Sequence, residues 1–308
     1  MRAWFFRFVR FLLVRFPVST SIRDLVMWPL TTRLLGRSYN TIISRNGYKI
    51  RVDLKDQLNR MVLFFGDRVR FLWEPQTTKV ALHFMKNSEN TVVAGSHIGY
   101  INLELLQALP NSGKIFTFEP AAYLFERSKE NIALNSAEHK IKLFHEALSD
   151  KDGLVQIYVE DLRTSIVPYS AAHNVNHRVE EVPATTLARL KDRENISRID
   201  FLFLDVEGFE YQVLTGAKDI IQQDRPTIIF EVSEKILKAT KITSDMIYNF
   251  LGSLGYVLYV IEDNYELNNV SSWDKKPVHL VPVKNWSEKT SYINVLAVVD
   301  PKMVETFG

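Results

Sequence analysis

The stretch FLFLDVEGFEYQVLTGA, residues 201–217, decides the fold. It begins as an apolar run of strand length. It continues as a segment in which Val213, Leu214, Ala217 and, just beyond, Ile221 recur at helical spacing. Asp205, Glu207 and Glu210 sit where the strand gives way to the helix. In an open α/β sheet, ligands bind in the crevice beyond the carboxyl ends of the strands. Three acids at such a turn read either as one wall of an active site or as an ordinary corner, since acids favour the positive end of a helix.

On both sides of this stretch, strands alternate with helices. TVVAG from residue 91, KIFTFE from 114, IKLFHEAL from 141, TIIFEV from 227, GYVLYVI from 255 and SYINVLAVV from 291 read as strands. Helical spacing is present over residues 99–109 and 121–135, and the interval 150–186 reads as a polar insertion with a hairpin. Strands alternating with helices imply a doubly wound, mostly parallel sheet covered on both faces. The last two strands are joined by loop, which predicts a terminal antiparallel pair. Upstream, Asn46-Gly47 is a hairpin signal ahead of alternating Tyr48, Ile50, Val52 and Leu54, and residues 75–86 read as a helix.

A chain of 308 residues with a net charge of +2 is long enough for a sizeable core and is not charged like a general nucleic-acid binder. It contains no cysteine, which excludes disulfides, thiolate metal sites and a cysteine nucleophile. Sequons at Asn195, Asn269 and Asn285 matter only in a secreted chain. MRAWFFRFVRFLLVRF, residues 1–16, is apolar but interrupted by Arg2, Arg7, Arg10 and Arg15. Those arginines keep it short of a bilayer span, and no cleavage site for a secretory signal follows. A basic, apolar helix suits either the surface of an anionic membrane or a packing role with snorkelling arginines. The expectation is a cytoplasmic protein, with peripheral membrane contact through this segment as one of these two readings.

The first strand of the alternating region ends in Gly95-Ser96-His97-Ile98-Gly99-Tyr100. Two glycines let the backbone turn sharply and approach a ligand. The spacing is not the G-x-G-x-x-G of dinucleotide sites, and this counts against an NAD(P)-linked oxidoreductase. The second strand ends in Phe118-Glu119-Pro120. An acid at that position can accept the two hydroxyls of a ribose, as in nucleotide-binding sheets. It also fits a helix start with proline in the first turn.

Taken in order, VVAGSHIGY, FTFEP, NIALN, EALSD, FLFLDVEGFEYQVLTGA and RPTIIFEV resemble the FkbM family of S-adenosylmethionine-dependent methyltransferases. The resemblance runs from about residue 46 to residue 299. It implies the class I methyltransferase (Rossmann-like) fold: a seven-stranded, mostly parallel sheet with an antiparallel last strand. Residues 1–80 would then form an N-terminal helical and hairpin extension, and residues 81–308 the S-adenosylmethionine-binding domain. The implied activity is O-methyl transfer to a hydroxyl of a sugar, glycolipid, polysaccharide or related natural product.

By position, the resemblance assigns Gly95, Ser96, His97 and Gly99 to the methionine part and ribose of the cofactor. Glu119 takes the ribose hydroxyls, and Glu146 and Ala147 lie at the adenine. Asp205, Glu207 and Glu231 face the reaction centre as base or orienting groups. Asp205 and Glu231 are also candidate oxygen ligands for a divalent cation. This sequence departs from the family at two points. Val93 and His97 stand where an acid and an asparagine are usual, and Ala188 replaces an aspartate. His173 and His177 have the i, i+4 spacing of a metal pair but read as loop histidines, and Glu180 and Glu181 read as a solvated face. With Val93 in place of an acid, a fold retained as a non-catalytic binding module is the rival of the enzyme.

Overall fold

The computed structural model describes residues 28–36, 39–54, 57–65, 72–160, 163–165, 178–262, 276–283 and 293–305. The basic N-terminal segment and His173 and His177 lie outside these residues. The chain divides into two compact units, Met1–Lys79 with Asp263–Pro277, and Val80–Glu262 with Val278–Gly308.

In the first unit, helix α1 (Trp28–Leu35) precedes a hairpin of β1 (Asn40–Arg45) and β2 (Tyr48–Asp53). Asn46 and Gly47 both have positive φ, 42° and 83°, as a tight hairpin turn requires. Helix α2 (Gln57–Phe65) follows, and α3 (Pro75–Met85) straddles the division between the units.

The second unit carries the predicted alternation. It runs through β3 (Asn90–Ala94), α4 (Tyr100–Leu105), β4 (Lys114–Phe118), α5 (Ala122–Ala133) and β5 (Ile141–Phe144). An insertion contributes β6 (Ala147–Leu148), β7 (Gly153–Glu160), β8 (Arg163–Ser165) and β9 (Arg178–Thr185). The chain returns through α6 (Leu187–Glu194), β10 (Phe201–Leu204), α7 (Glu210–Gly216), α8 (Lys218–Asp224), β11 (Thr227–Val232), α9 (Glu234–Thr240) and α10 (Ser244–Ser253). It closes with β12 (Val257–Ile261), β13 (Leu280–Pro282), β14 (Ile293–Val298) and α11 (Lys302–Glu305).

The main sheet has the order β13-β12-β14-β11-β10-β3-β4-β5. Strands β11, β10, β3, β4 and β5 are parallel, and β14 is inserted antiparallel between β11 and β12. All seven predicted strands are present, with the short β13 added at the edge. The strands are near-continuous apolar runs because both sides are covered. Val92, Ala94, Phe116, Phe118, Leu202, Leu204, Ile228 and Phe230 pack with Leu187, Val213, Leu214 and Leu251. The alternate residues Val93, Ile115, Phe201, Phe203 and Ile229 pack with Val80, Met85, Leu105 and Ile132. Each fully buried Val, Leu, Ile, Phe or Met among them is worth about 1.5–3 kcal/mol.

The run IKLFHEAL is not one strand. Its first half ends at Phe144, and Ala147–Leu148 leaves the main sheet to pair with β9 in the four-stranded sheet β6-β9-β7-β8. The helix expected over residues 99–109 is the shorter α4. No helix among the described residues is long and apolar enough to cross a membrane.

Candidate functional site

Adjacent parallel strands β3 and β10 deliver two turns to the same end of the sheet. Asp205 N–H donates to the Ala94 carbonyl at 2.9 Å, extending the ladder one residue past the strands. Gly95, at φ +87°, passes so close that a Cβ there would lie 1.7 Å from the Asp205 carbonyl oxygen. Only glycine fits. Gly99, at φ +83°, packs on helix α5, where a Cβ would meet Ser128 Oγ at 2.8 Å.

The glycine turn is fixed from three sides. Gly95 N–H and Ser96 N–H both donate to the Phe118 carbonyl, at 3.0 and 3.2 Å. His97, held at φ +51°, donates its N–H to Glu119 Oε2 at 2.7 Å, while Ala121 N–H donates to Oε1 at 3.0 Å. From α5, the fully buried Asn131 donates to the Ile98 carbonyl at 2.8 Å. Asn131 belongs to the N-I-x-x-N run that marks the family, and its task is to brace this turn.

Glu119 is only 2% exposed. Burial pushes its carboxyl up to about 8, against the opposing pull of the two N–H donors. Glu210 has the equivalent place under the acidic turn. It is buried and accepts from Val206 N–H and Gly208 N–H, both at 3.0 Å, and burial raises it to about 7. Its carboxylate supports the turn; it does not line the crevice wall with Asp205 and Glu207.

The acids expected at the reaction centre are brought together. Asp205, Glu207 and Glu231 each offer a carboxylate oxygen within 4.8 Å of the others, all at intermediate exposure. Glu207, at φ +49°, and Gly208, at φ +112°, make the bend that turns the chain back after Asp205. Glu231 sits near the end of β11, the neighbour of β10.

Glu146 and Ala147, the residues expected at the adenine, follow the end of β5. Both oxygens of Glu146 face the Arg193 guanidinium, at 2.9 and 3.2 Å from Nη1, and that guanidinium lies 4.4 Å from the Phe144 ring centroid. Ala147 is buried in β6, paired with Ala184. Arg193 gave no signal in the sequence because its partner is 47 residues away. Val93, in the position of the family acid, is fully buried in the core. Ala188 is exposed on the first turn of α6.

A glycine turn with no room for a Cβ, an acid at the end of the second strand and the buried His97 Nδ1, which has no hydrogen-bond partner among the described residues, suit a nucleoside-bearing ligand such as S-adenosylmethionine. This strand order, with β14 inserted antiparallel, defines a class I, Rossmann-like methyltransferase fold. The chain belongs to the Methyltransferase FkbM domain family, whose profile matches residues 94–258. It is 28% identical over 156 residues to methyltransferase sdnD of Sordaria araneosa, covering 42% of this chain and 60% of that protein. Two solved structures are also similar. The FkbM methyltransferase of Methylobacillus flagellatus matches with 13% identity and a TM-score of 0.43, over 90% of this chain and 59% of that one. The Bacillus cereus O-methyltransferase in complex with SAH matches with 11% identity and a TM-score of 0.42, over 97% and 100%.

Gly95→Ala is expected to cost about 3 kcal/mol or more, combining the positive-φ penalty with a backbone clash. A urea titration showing an unchanged midpoint would contradict the Gly95–Asp205 contact. Glu119 and Glu210 titrate near 4.5 when unfolded and near 8 and 7 when folded. Between those values the folded chain holds protons that the unfolded chain has released. The contribution of these two carboxyls to stability is therefore fullest below about pH 4.5 and is lost as pH rises towards 8. Unfolding midpoints measured from pH 5 to 8 should decline in the wild type and decline less in Glu119→Gln and Glu210→Gln.

Proposed function

We propose that this protein is an S-adenosylmethionine-dependent O-methyltransferase whose acceptor is a hydroxyl of a glycan or glycolipid. The gathering of Asp205, Glu207 and Glu231 at the mouth of the glycine turn carries this reading. S-adenosylmethionine, when bound, supplies a methyl group already activated on a sulfonium. Glu119 would hold the ribose hydroxyls, with Gly95, Ser96, His97 and Gly99 bordering the ribose and the methionine part. Glu146 and Ala147 would line the adenine, with Glu146 first leaving Arg193.

The acceptor hydroxyl must lie in line with the methyl group, and fixing reactants in line can lower a barrier by about 7–11 kcal/mol. The hydroxyl also has to lose its proton as the new bond forms. A carboxylate at hydrogen-bond distance takes that proton, which is worth about 10² to 10⁴-fold. Asp205, Glu207 and Glu231 are the groups placed to do so. The acceptor class rests on the family resemblance and on the basic, apolar residues 1–16, which suit a peripheral membrane contact near a lipid-linked sugar.

A second reading is favoured by the same spacing. Three carboxylate oxygens within 4.8 Å suit a hard divalent cation, which would orient and acidify the acceptor hydroxyl. Excess chelator separates the two: activity that persists fits the metal-free base, and activity lost and restored by Mg²⁺ fits the cation.

The test of the function is transfer of a labelled methyl group from S-adenosylmethionine into lipid and glycan fractions, with mass analysis of the product. Asp205→Asn, Glu207→Gln and Glu231→Gln should retain cofactor binding, and at least one should lose about 10²-fold or more in turnover. Full turnover in all three would remove the assignment.

A further inference from the structure

The register of the main sheet places further polar side chains beside the three acids. Val93, Phe203, Ile229 and Leu296 stand opposite one another in a row across β3, β10, β11 and β14. All four pack on the same face of the sheet. Side chains two residues further along a strand return to that face. The next row, towards the carboxyl ends of the parallel strands, is therefore Gly95, Asp205, Glu231 and Asn294 (counted back from Leu296 because β14 runs antiparallel). Glu231 and Asn294 are direct ladder partners. Side chains directly opposite in an antiparallel pair have Cβ atoms about 4.5–5.5 Å apart. Asn294 thus flanks Glu231 on the side away from Asp205, and it is buried.

Ser233 flanks Glu231 along the chain. It directly follows β11 and keeps an extended backbone, φ −110° and ψ 103°, so its side chain returns to the Glu231 face. It stands immediately before α9, yet its hydroxyl makes no capping bond. Ser233 is 6% exposed, and its buried Oγ has no hydrogen-bond partner among the described residues. Burying a hydroxyl without a partner costs stability. Two residues from Glu231 and on its face, such a hydroxyl is suited to meet a ligand group.

We propose that Asn294 and Ser233 bind the acceptor. The Asn294 carboxamide donates an N–H to the oxygen that is methylated, and Ser233 Oγ bonds a neighbouring polar group of the same molecule. This rests on the reading of Asp205, Glu207 and Glu231 as the groups that receive the acceptor proton. A hydroxyl offers one O–H and two lone pairs. The carboxylate accepts the O–H and the carboxamide takes one lone pair, which leaves the other for the methyl group. An amide suits this place because it donates without titrating and adds no charge to three clustered acids. The specificity that follows is for a hydroxyl with a second oxygen or nitrogen close by, as a sugar ring carries, over an isolated alcohol.

The experiment uses the full chain and the lipid or glycan fraction into which the wild type transfers most labelled methyl. Transfer rates are measured against increasing amounts of that fraction for the wild type, Asn294→Ala, Asn294→Asp and Ser233→Ala. Urea unfolding midpoints and calorimetric titrations with S-adenosylhomocysteine accompany them. Each alanine variant should raise the half-saturating amount of the fraction roughly fivefold or more, the worth of one hydrogen bond, with S-adenosylhomocysteine affinity unchanged. Asn294→Asp, which sets an acceptor-only group where a donor stood, should weaken acceptor binding further. Ser233→Ala should leave the urea midpoint unchanged or raise it, because the hydroxyl it removes has no partner to lose. A lowered midpoint would make the hydroxyl structural and overturn the role of Ser233. Wild-type half-saturation in either alanine variant would overturn the assignment of that residue, as would loss of S-adenosylhomocysteine affinity in step with transfer. Failure of the wild type to label any fraction would instead overturn the underlying reading of the site.

Discussion

The candidate site depends on the contact between Gly95 and the Asp205 carbonyl. Two neighbouring parallel strands end at the same level, and their outgoing turns must share the space between them. They can do so because one turn has no side chain at the point of contact. That closeness sets the glycine turn against the acidic turn, so a ligand cradled by one is presented to the other. The buried carboxylates of Glu119 and Glu210 then fix the two turns, each by accepting two backbone N–H groups.

The acids of this region thus divide by environment. Glu119 and Glu210 are buried and bound to the backbone, and burial raises their proton affinity. Asp205, Glu207 and Glu231 are partly exposed and close to one another. A buried carboxylate bound to N–H groups is suited to hold shape or to receive hydroxyls. A partly exposed cluster is suited to move a proton or to hold a cation. Val93 removes one further acid from the glycine-turn side and replaces it with core packing.

Much of this was legible in the sequence because it is local. Apolar runs of strand length, the glycine spacing and the acids at strand ends are features of a few consecutive residues, and they located β3, β4, β10, β11 and the turns after them. What could not be read depends on partners distant in the chain. The pairing of Glu146 with Arg193, the departure of Ala147 to join β9 and the inward aim of Glu180 are set by tertiary packing. Glu180 and Glu181 are the same residue type side by side. Only strand alternation against Ile157 and Val182 tells the inward one from the outward one.

The claim that the glycine turn and the acidic turn form one crevice is tested most directly by amide hydrogen exchange with and without S-adenosylhomocysteine. The account predicts that the ligand protects peptides covering residues 95–100 and residues 205–210 together, and that NADH protects neither. Protection of neither segment, or of only one, would contradict it.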